Sequence, residues 1–194
     1  MGNQPIKIAF WGDSLTEGAP GYSFFEILKV RLSDYKLYNY GYAGDTINTL
    51  YHRLLHEKEH PDCKRIFLWI GTNDVFMYPE DYIEADERGL HNTYQNICTQ
   101  LLKFTPKLIV IPPLIIGETI HNSWNKIAEK ISREIREIAA YYEKIEYLDL
   151  RNKFLEEIKK NPAGTRTTDG VHLNEYGAML IAEWIHKKIE KEVS

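Results

Sequence analysis

Five short apolar runs recur along the chain, and the segments between them carry apolar residues at helical spacing. The runs are Ile6 to Trp11, Lys36 to Tyr40, Ile66 to Ile70, Leu108 to Ile111 and Ile145 to Leu150. Tyr22 to Leu32 follows the first, with Phe24, Phe25, Leu28 and Leu32 on one helical face, and Thr46 to Glu57 presents Ile47, Leu50, Leu54 and Leu55 in the same way. A third helix is expected from about His91 to Phe104. Trp124 to Tyr142 is the clearest one, with Trp124, Ile127, Ile131, Ile135, Ile138 and Tyr142 forming an apolar stripe expected to be core. Asn152 to Lys160 reads as a short helix. Asn174 is the expected N-cap of the last, which leads through Ala178, Ile181, Ala182, Ile185 and Ile189. Strands alternating with helices call for a parallel sheet covered on both faces by right-handed crossovers, a three-layer α/β/α sandwich. Residues 75 to 90 show no clean period and read as an irregular excursion above the sheet edge.

At 194 residues the chain is about one domain long, so residues 1–194 are taken as a single unit. With 24 basic against 28 acidic residues and no basic run, nucleic acid is not an expected partner. Cys63 and Cys98 stand apart in apolar or helix-like surroundings and read as reduced structural thiols. The amino terminus shows no basic region followed by an apolar stretch, and no apolar run approaches the roughly 20 residues that span a bilayer. A cytoplasmic location without a membrane span is the resulting expectation.

Four segments fall at strand ends or helix starts, where ligands of open α/β sheets bind. The first is Gly12-Asp13-Ser14-Leu15, placing a serine where a buried strand opens into a loop. Gly41-Tyr42-Ala43-Gly44 follows the second strand, and Gly44 there offers an unobstructed backbone N–H. Gly71-Thr72-Asn73-Asp74 follows the third, with the Asn73 amide able to point into the crevice or to close an Asx turn. The fourth, Asp169-Gly170-Val171-His172, precedes the last helix. An aspartate three residues before a histidine on a tight loop can take its Nδ1 proton, leaving Nε2 to accept one from serine. His172 is the only one of the seven histidines with an aspartate at that offset. Each segment alone is ordinary turn or capping chemistry. At roughly one in twenty per specified residue, Gly-Asp-Ser-Leu alone arises by chance in about one chain in a thousand of this length.

With these motifs in this order the sequence resembles the SGNH hydrolase superfamily, the GDSL esterases and lipases, over nearly its whole length. The resemblance implies a flavodoxin-like sandwich with strand order 2-1-3-4-5. It also implies that Ser14 is the nucleophile and that Asp169 and His172 are acid and base. Gly44, Asn73 and the backbone of Ser14 itself become the oxyanion hole. No cofactor is implied. The chemistry is then acyl transfer to water: Ser14 attacks an ester carbonyl, His172 takes its proton, and Asp169 stabilises the imidazolium. Asp13, beside the nucleophile, is expected to turn away and bind loop backbone.

The family serves many substrates, so thioesters, lysophospholipids and acyl transfer to a sugar or alcohol stand as alternatives to a short-chain ester, including an acetylated carbohydrate. A binding module on the same fold is a further alternative. The substrate is expected to be a small molecule, with Phe76 and Met77 lining a small acyl pocket and the acidic residues beyond Pro79 repelling anions. His56-Glu57-Lys58-Glu59-His60 formally matches a helical zinc motif. The charged run between the histidines, the Pro61 that follows and the lack of a third ligand instead place both histidines at the surface, and no metal is expected.

Overall fold

A computed structural model describes residues 4–57, 60–77, 87–119 and 121–191. Its centre is a parallel sheet of β1 (Ile6–Gly12), β2 (Tyr35–Gly41), β3 (Arg65–Trp69), β4 (Leu108–Ile111) and β5 (Ile145–Tyr147). Their order is β2-β1-β3-β4-β5, as the resemblance implies, and every pair is parallel. The strand order changes direction at β1 and β3, and the crevice at such a switch point lies above the carboxyl ends of these two strands.

The pleat of the central strands divides the core. Ile8 and Phe10 of β1, with Phe67 and Trp69 of β3, face one side, against α2 (Phe24–Arg31), α7 (Leu150–Lys160) and α8 (Glu175–Glu190). Ala9, Trp11, Ile66 and Leu68 face the other, against α3 (Ile47–His56), α5 (Glu87–Leu101) and α6 (Ser123–Tyr141). This is the three-layer sandwich. Every residue of β3 and β4 is buried, which is why these strands read as continuous apolar runs. Side-chain oxygens cap the helices, Thr46 on α3 and, as expected, Asn174 on α8. Cys63 and Cys98 are free and buried, and burial pushes the Cys63 thiol up to about 11. Among the described residues no helix is long and apolar enough to cross a membrane.

Several boundaries differ from the sequence reading. The stretch expected to be irregular is helical at both described ends: α4 runs Thr72–Met77, and α5 begins at Glu87 rather than near His91. Residues 78–86 between them lie outside the described part, and with them Glu80, Asp81, Glu84 and Asp86 of the acidic stretch. Val75 is buried while Phe76 and Met77 are exposed, an alternation too short to show a period in the sequence. β5 stops at Tyr147 because Asp149 caps α7, accepting from Asn152 N at 3.0 Å. Trp124, expected in the core stripe of α6, is 47% exposed; it stands on the first turn, where its ring meets that of Phe76 edge-on at 5.5 Å.

Candidate active site

The carboxyl end of β1 runs directly into α1 (Ser14–Glu17), a single turn capped by the Asp13 side chain, which accepts from Leu15 N at 3.0 Å. Asp13 therefore binds loop backbone, as its position beside Ser14 requires. Gly12 is fixed by space: a Cβ built there would lie 2.2 Å from the Trp69 carbonyl oxygen. Only glycine lets β1, β3 and the first turn of α1 meet so closely.

The turn after β2 is tied to this corner from several sides. Tyr42 N donates to Gly12 O at 3.0 Å, and Ala43 N donates to Glu17 Oε2 at 2.8 Å. Arg53 of α3 clamps Asp45 through Nε and Nη2, at 2.9 and 2.7 Å from one carboxylate oxygen, with its guanidinium over the Trp11 ring. Within the turn Gly44 adopts φ +82°, and a Cβ there would meet nothing within 4 Å, so its backbone faces open space. Asn73 lies on the first turn of α4 rather than in an Asx turn, and its Nδ2 donates to Asp45 O at 2.9 Å. One of its two amide hydrogens is thereby used to hold it against the Gly44 turn. Asp74, next in sequence, accepts from Ile47 N at the start of α3 with both oxygens, at 3.2 and 3.0 Å. Burial pushes the carboxyls of Asp13 and Asp74 up to about 7 each, against the hydrogen bonds from Leu15 N and Ile47 N.

The loop between α7 and α8 brings the fourth motif to Ser14 from the far end of the chain. Ser14 Oγ lies 3.1 Å from His172 Nε2, and His172 Nδ1 lies 2.7 Å from Asp169 Oδ2. The other oxygen of Asp169 accepts from Val171 N and His172 N at 2.9 and 2.8 Å. Burial raises the Asp169 carboxyl, but these bonds outweigh it and hold the group below the usual carboxylate range. An anionic Asp169 fixes the Nδ1 proton, so Nε2 is the acceptor for the Ser14 hydroxyl. Ser14, His172 and Asp169 thus form one hydrogen-bonded line, with Gly44 and Asn73 on adjoining turns.

Two features escape a sequence reading. Glu118, in the 3-10 turn Ile116–Glu118 after β4, reaches the loop that carries Asp169. Its Oε1 accepts from Arg166 N, Thr167 N and Thr167 Oγ1 at 2.6, 2.7 and 2.6 Å, and its Oε2 meets Arg166 Nη1 at 3.2 Å. Burial opposes ionisation of Glu118, yet the bonds from Thr167 and Arg166 prevail and lower its carboxyl. Gly117 N completes the strap by donating to Gly170 O at 2.8 Å. No local signal marks Glu118, since its partners stand almost fifty residues away. Arg53 is equally silent in the sequence.

The zinc-like histidines do not share a helix: α3 ends at His56, and His60 lies beyond it. His60 is not the surface residue expected. Its ring packs among Trp11, Tyr40 and Phe104, with both nitrogens buried and unpartnered by any described group. Elsewhere His91, Glu134 and Glu137 approach one another closely enough to share an ion, and two of them, His91 and Glu134, form a 2.5 Å pair between α5 and α6.

Residues 10–180 match the model of the GDSL-like Lipase/Acylhydrolase family. Among solved structures, an acetyl xylan esterase is 27% identical with a TM-score of 0.82, over 95% of this chain and all of that one. A lipolytic protein of the G-D-S-L family from Veillonella parvula is 19% identical with a TM-score of 0.76, over 94% of this chain and 97% of that one. A catalytic mutant of an acetylxylan esterase from Geobacillus stearothermophilus is 19% identical with a TM-score of 0.78, over 95% and 94% of the two chains. No curated protein matches the sequence.

Proposed function

The chain belongs to the GDSL-like Lipase/Acylhydrolase family and hydrolyses ester bonds; from that premise we propose that it removes acetyl and other short acyl groups from a carbohydrate, with Ser14 as nucleophile. The observation that carries the reading is the line from Ser14 Oγ through His172 to Asp169, at 3.1 and 2.7 Å. The acetyl xylan esterase with full mutual coverage supports the choice of substrate.

In the proposed reaction the Ser14 hydroxyl attacks the ester carbonyl as its proton passes to His172 Nε2, and Asp169 stabilises the imidazolium. The negative charge that develops on the carbonyl oxygen is met by the N–H groups of Ser14 and Gly44 and by the free Asn73 amide hydrogen. His172 then gives its proton to the departing alcohol. Water repeats the sequence on the acyl-enzyme and releases the acid.

Phe76 and Met77 belong to the proposal as walls of the acyl pocket. They follow Asn73 by three and four residues on α4, which puts all three on one helical face. Acetyl to butyryl esters are expected to give the highest kcat/KM, with a fall for chains of about eight carbons or more, each methylene left outside forfeiting up to roughly 0.8 kcal/mol of burial. A panel of aryl esters and acetylated sugars, with Ser14→Ala as blank, measures this. A preference climbing steadily to decanoyl would refute the short pocket.

A further inference from the structure

We propose that the alcohol side of the ester is a sugar ring seated against Tyr22 and Tyr176, in a cleft that opens beside His172; this rests on the reading of Ser14, His172 and Asp169 as the catalytic line. Direction comes from the chemistry. The leaving oxygen has to lie within reach of His172 Nε2 to collect its proton, while the carbonyl oxygen points to the opposite side, at Gly44 and Asn73. The alcohol therefore extends past the imidazole.

The wall it meets there is tied to Leu173, the residue after His172. Tyr22 N donates to Leu173 O at 2.9 Å, and a Cβ at the adjacent Gly21 would lie 3.3 Å from His172 Cβ. From this point a cleft of about 500 Å³ runs along the first turn of α8, lined by Tyr22, Asn174, Glu175, Tyr176 and Met179. That volume falls within the range of small-molecule sites, roughly 300–1,000 Å³. Tyr22 is 53% exposed and Tyr176 41% exposed.

The lining selects among alcohols. Tyr176 is held by its hydroxyl, which donates to Glu157 Oε1 at 2.7 Å, so the ring is positioned before any ligand arrives. Asn174 is already engaged, its Oδ1 accepting from Gly177 N and its Nδ2 donating to Thr165 O. The cleft's other lining residues bring two aromatic rings, a thioether and the Glu175 carboxylate. A pyranose matches this set: its C–H faces lie flat on tyrosine rings, and the hydroxyls around its edge donate to a carboxylate. A phosphorylated alcohol such as a lysophospholipid headgroup does not, since none of the lining residues is cationic.

The test compares acetylated xylotriose with p-nitrophenyl acetate on Tyr22→Ala, Tyr176→Ala and Tyr176→Phe. Each alanine variant is expected to lose about three- to tenfold in kcat/KM on the sugar ester beyond any loss on the aryl ester, mainly through KM. Tyr176→Phe keeps the ring but gives up the bond to Glu157 that positions it, so its selective loss on the sugar ester should be clearly smaller than that of Tyr176→Ala. Equal losses on both esters, a phenylalanine variant as impaired as the alanine one, or aryl acetate turned over with the sugar ester ignored would each overturn the subsite. Xylotriose titrated into Ser14→Ala protein gives an independent readout and should shift the NMR signals of both tyrosine rings. Unmoved signals reject the subsite whatever the activity. Shifted signals in a protein whose wild type hydrolyses neither ester would leave the subsite standing and reject the catalytic line instead.

Discussion

Ser14 is 6% exposed at the end of a strand hydrogen-bonded on both edges, with Gly12 beneath it packed against the Trp69 carbonyl. Asp169, its counterpart at the other end of the hydrogen-bonded line, has a side chain 51% exposed on a loop outside the sheet. The proposed nucleophile is held by the core, where a shift would disturb β1, β2 and β3 together. The proposed acid and base sit on a loop strapped through Arg166 and Thr167 to one carboxylate, Glu118, through Gly170 to Gly117, and through Leu173 to Tyr22. The two halves of the site are therefore anchored differently, one by the sheet and the other by bonds between loops.

The largest test asks whether the halves act as one. Ser14→Ala and His172→Ala should each lower kcat by about five to six orders of magnitude, and the double variant should lose little more. Fluorophosphonate labelling should disappear from both single variants. Additive losses, or labelling at another serine, would show that the 3.1 Å contact is not catalytic.

Asn73→Ala probes the sheet-anchored half, with kcat expected to fall about a hundredfold to a thousandfold and KM to stay within a small factor. A change confined to KM would reduce Asn73 to substrate positioning. Glu118→Gln probes the loop half. It keeps an acceptor but removes the charge that gathers three donors and faces Arg166, so kcat should fall by up to about a hundredfold as His172 loses its aim. KM for a small aryl acetate should move far less. A lowered Tm with wild-type kcat would mean that the strap serves folding alone and that the contrast between the halves is wrong.

The smallest effect lies under the nucleophile. Burial, with the charges of Asp74 and Asp45 adding to it, lifts the Asp13 carboxyl from 3.8 to about 7. Between those values the native state keeps a proton that the unfolded chain has released, so stability falls as pH rises through this window. A carboxamide in the same place has no proton to lose. The Tm of Asp13→Asn relative to wild type should therefore climb between pH 4 and pH 8, and a pH-independent difference would show that Asp13 does not titrate in this range.

How legible the molecule was depends on the range of the interactions. β1, β3 and β4 announce themselves because strands buried on both faces must be apolar throughout. The four motifs could be placed at strand ends and helix starts because turns and caps demand particular residues within a few positions. Local signals failed where a partner was distant. Trp124 sits at a helical position that matches a core stripe, yet its neighbour Asn125 takes the buried place in the first turn of α6 and the Trp124 ring meets Phe76 at the surface instead. His60 looked like the end of a charged surface run and is instead enclosed by rings from β1, β2 and the segment after α5.

By itself the sequence determined the layered architecture and the residue types available for chemistry, since periodicity and turn preference are properties of neighbouring residues. Strand order came only through the family resemblance, and the tertiary structure bears it out. Only the tertiary structure decided how Ser14 and His172, 158 positions apart, close to a 3.1 Å contact, that Glu118 and Arg53 brace the turns on either side, and that the Tyr22 backbone comes to pair with Leu173, the residue after His172. Those outcomes follow from packing helices onto both faces of one twisted sheet, and packing is a sum over distant pairs that no local pattern records.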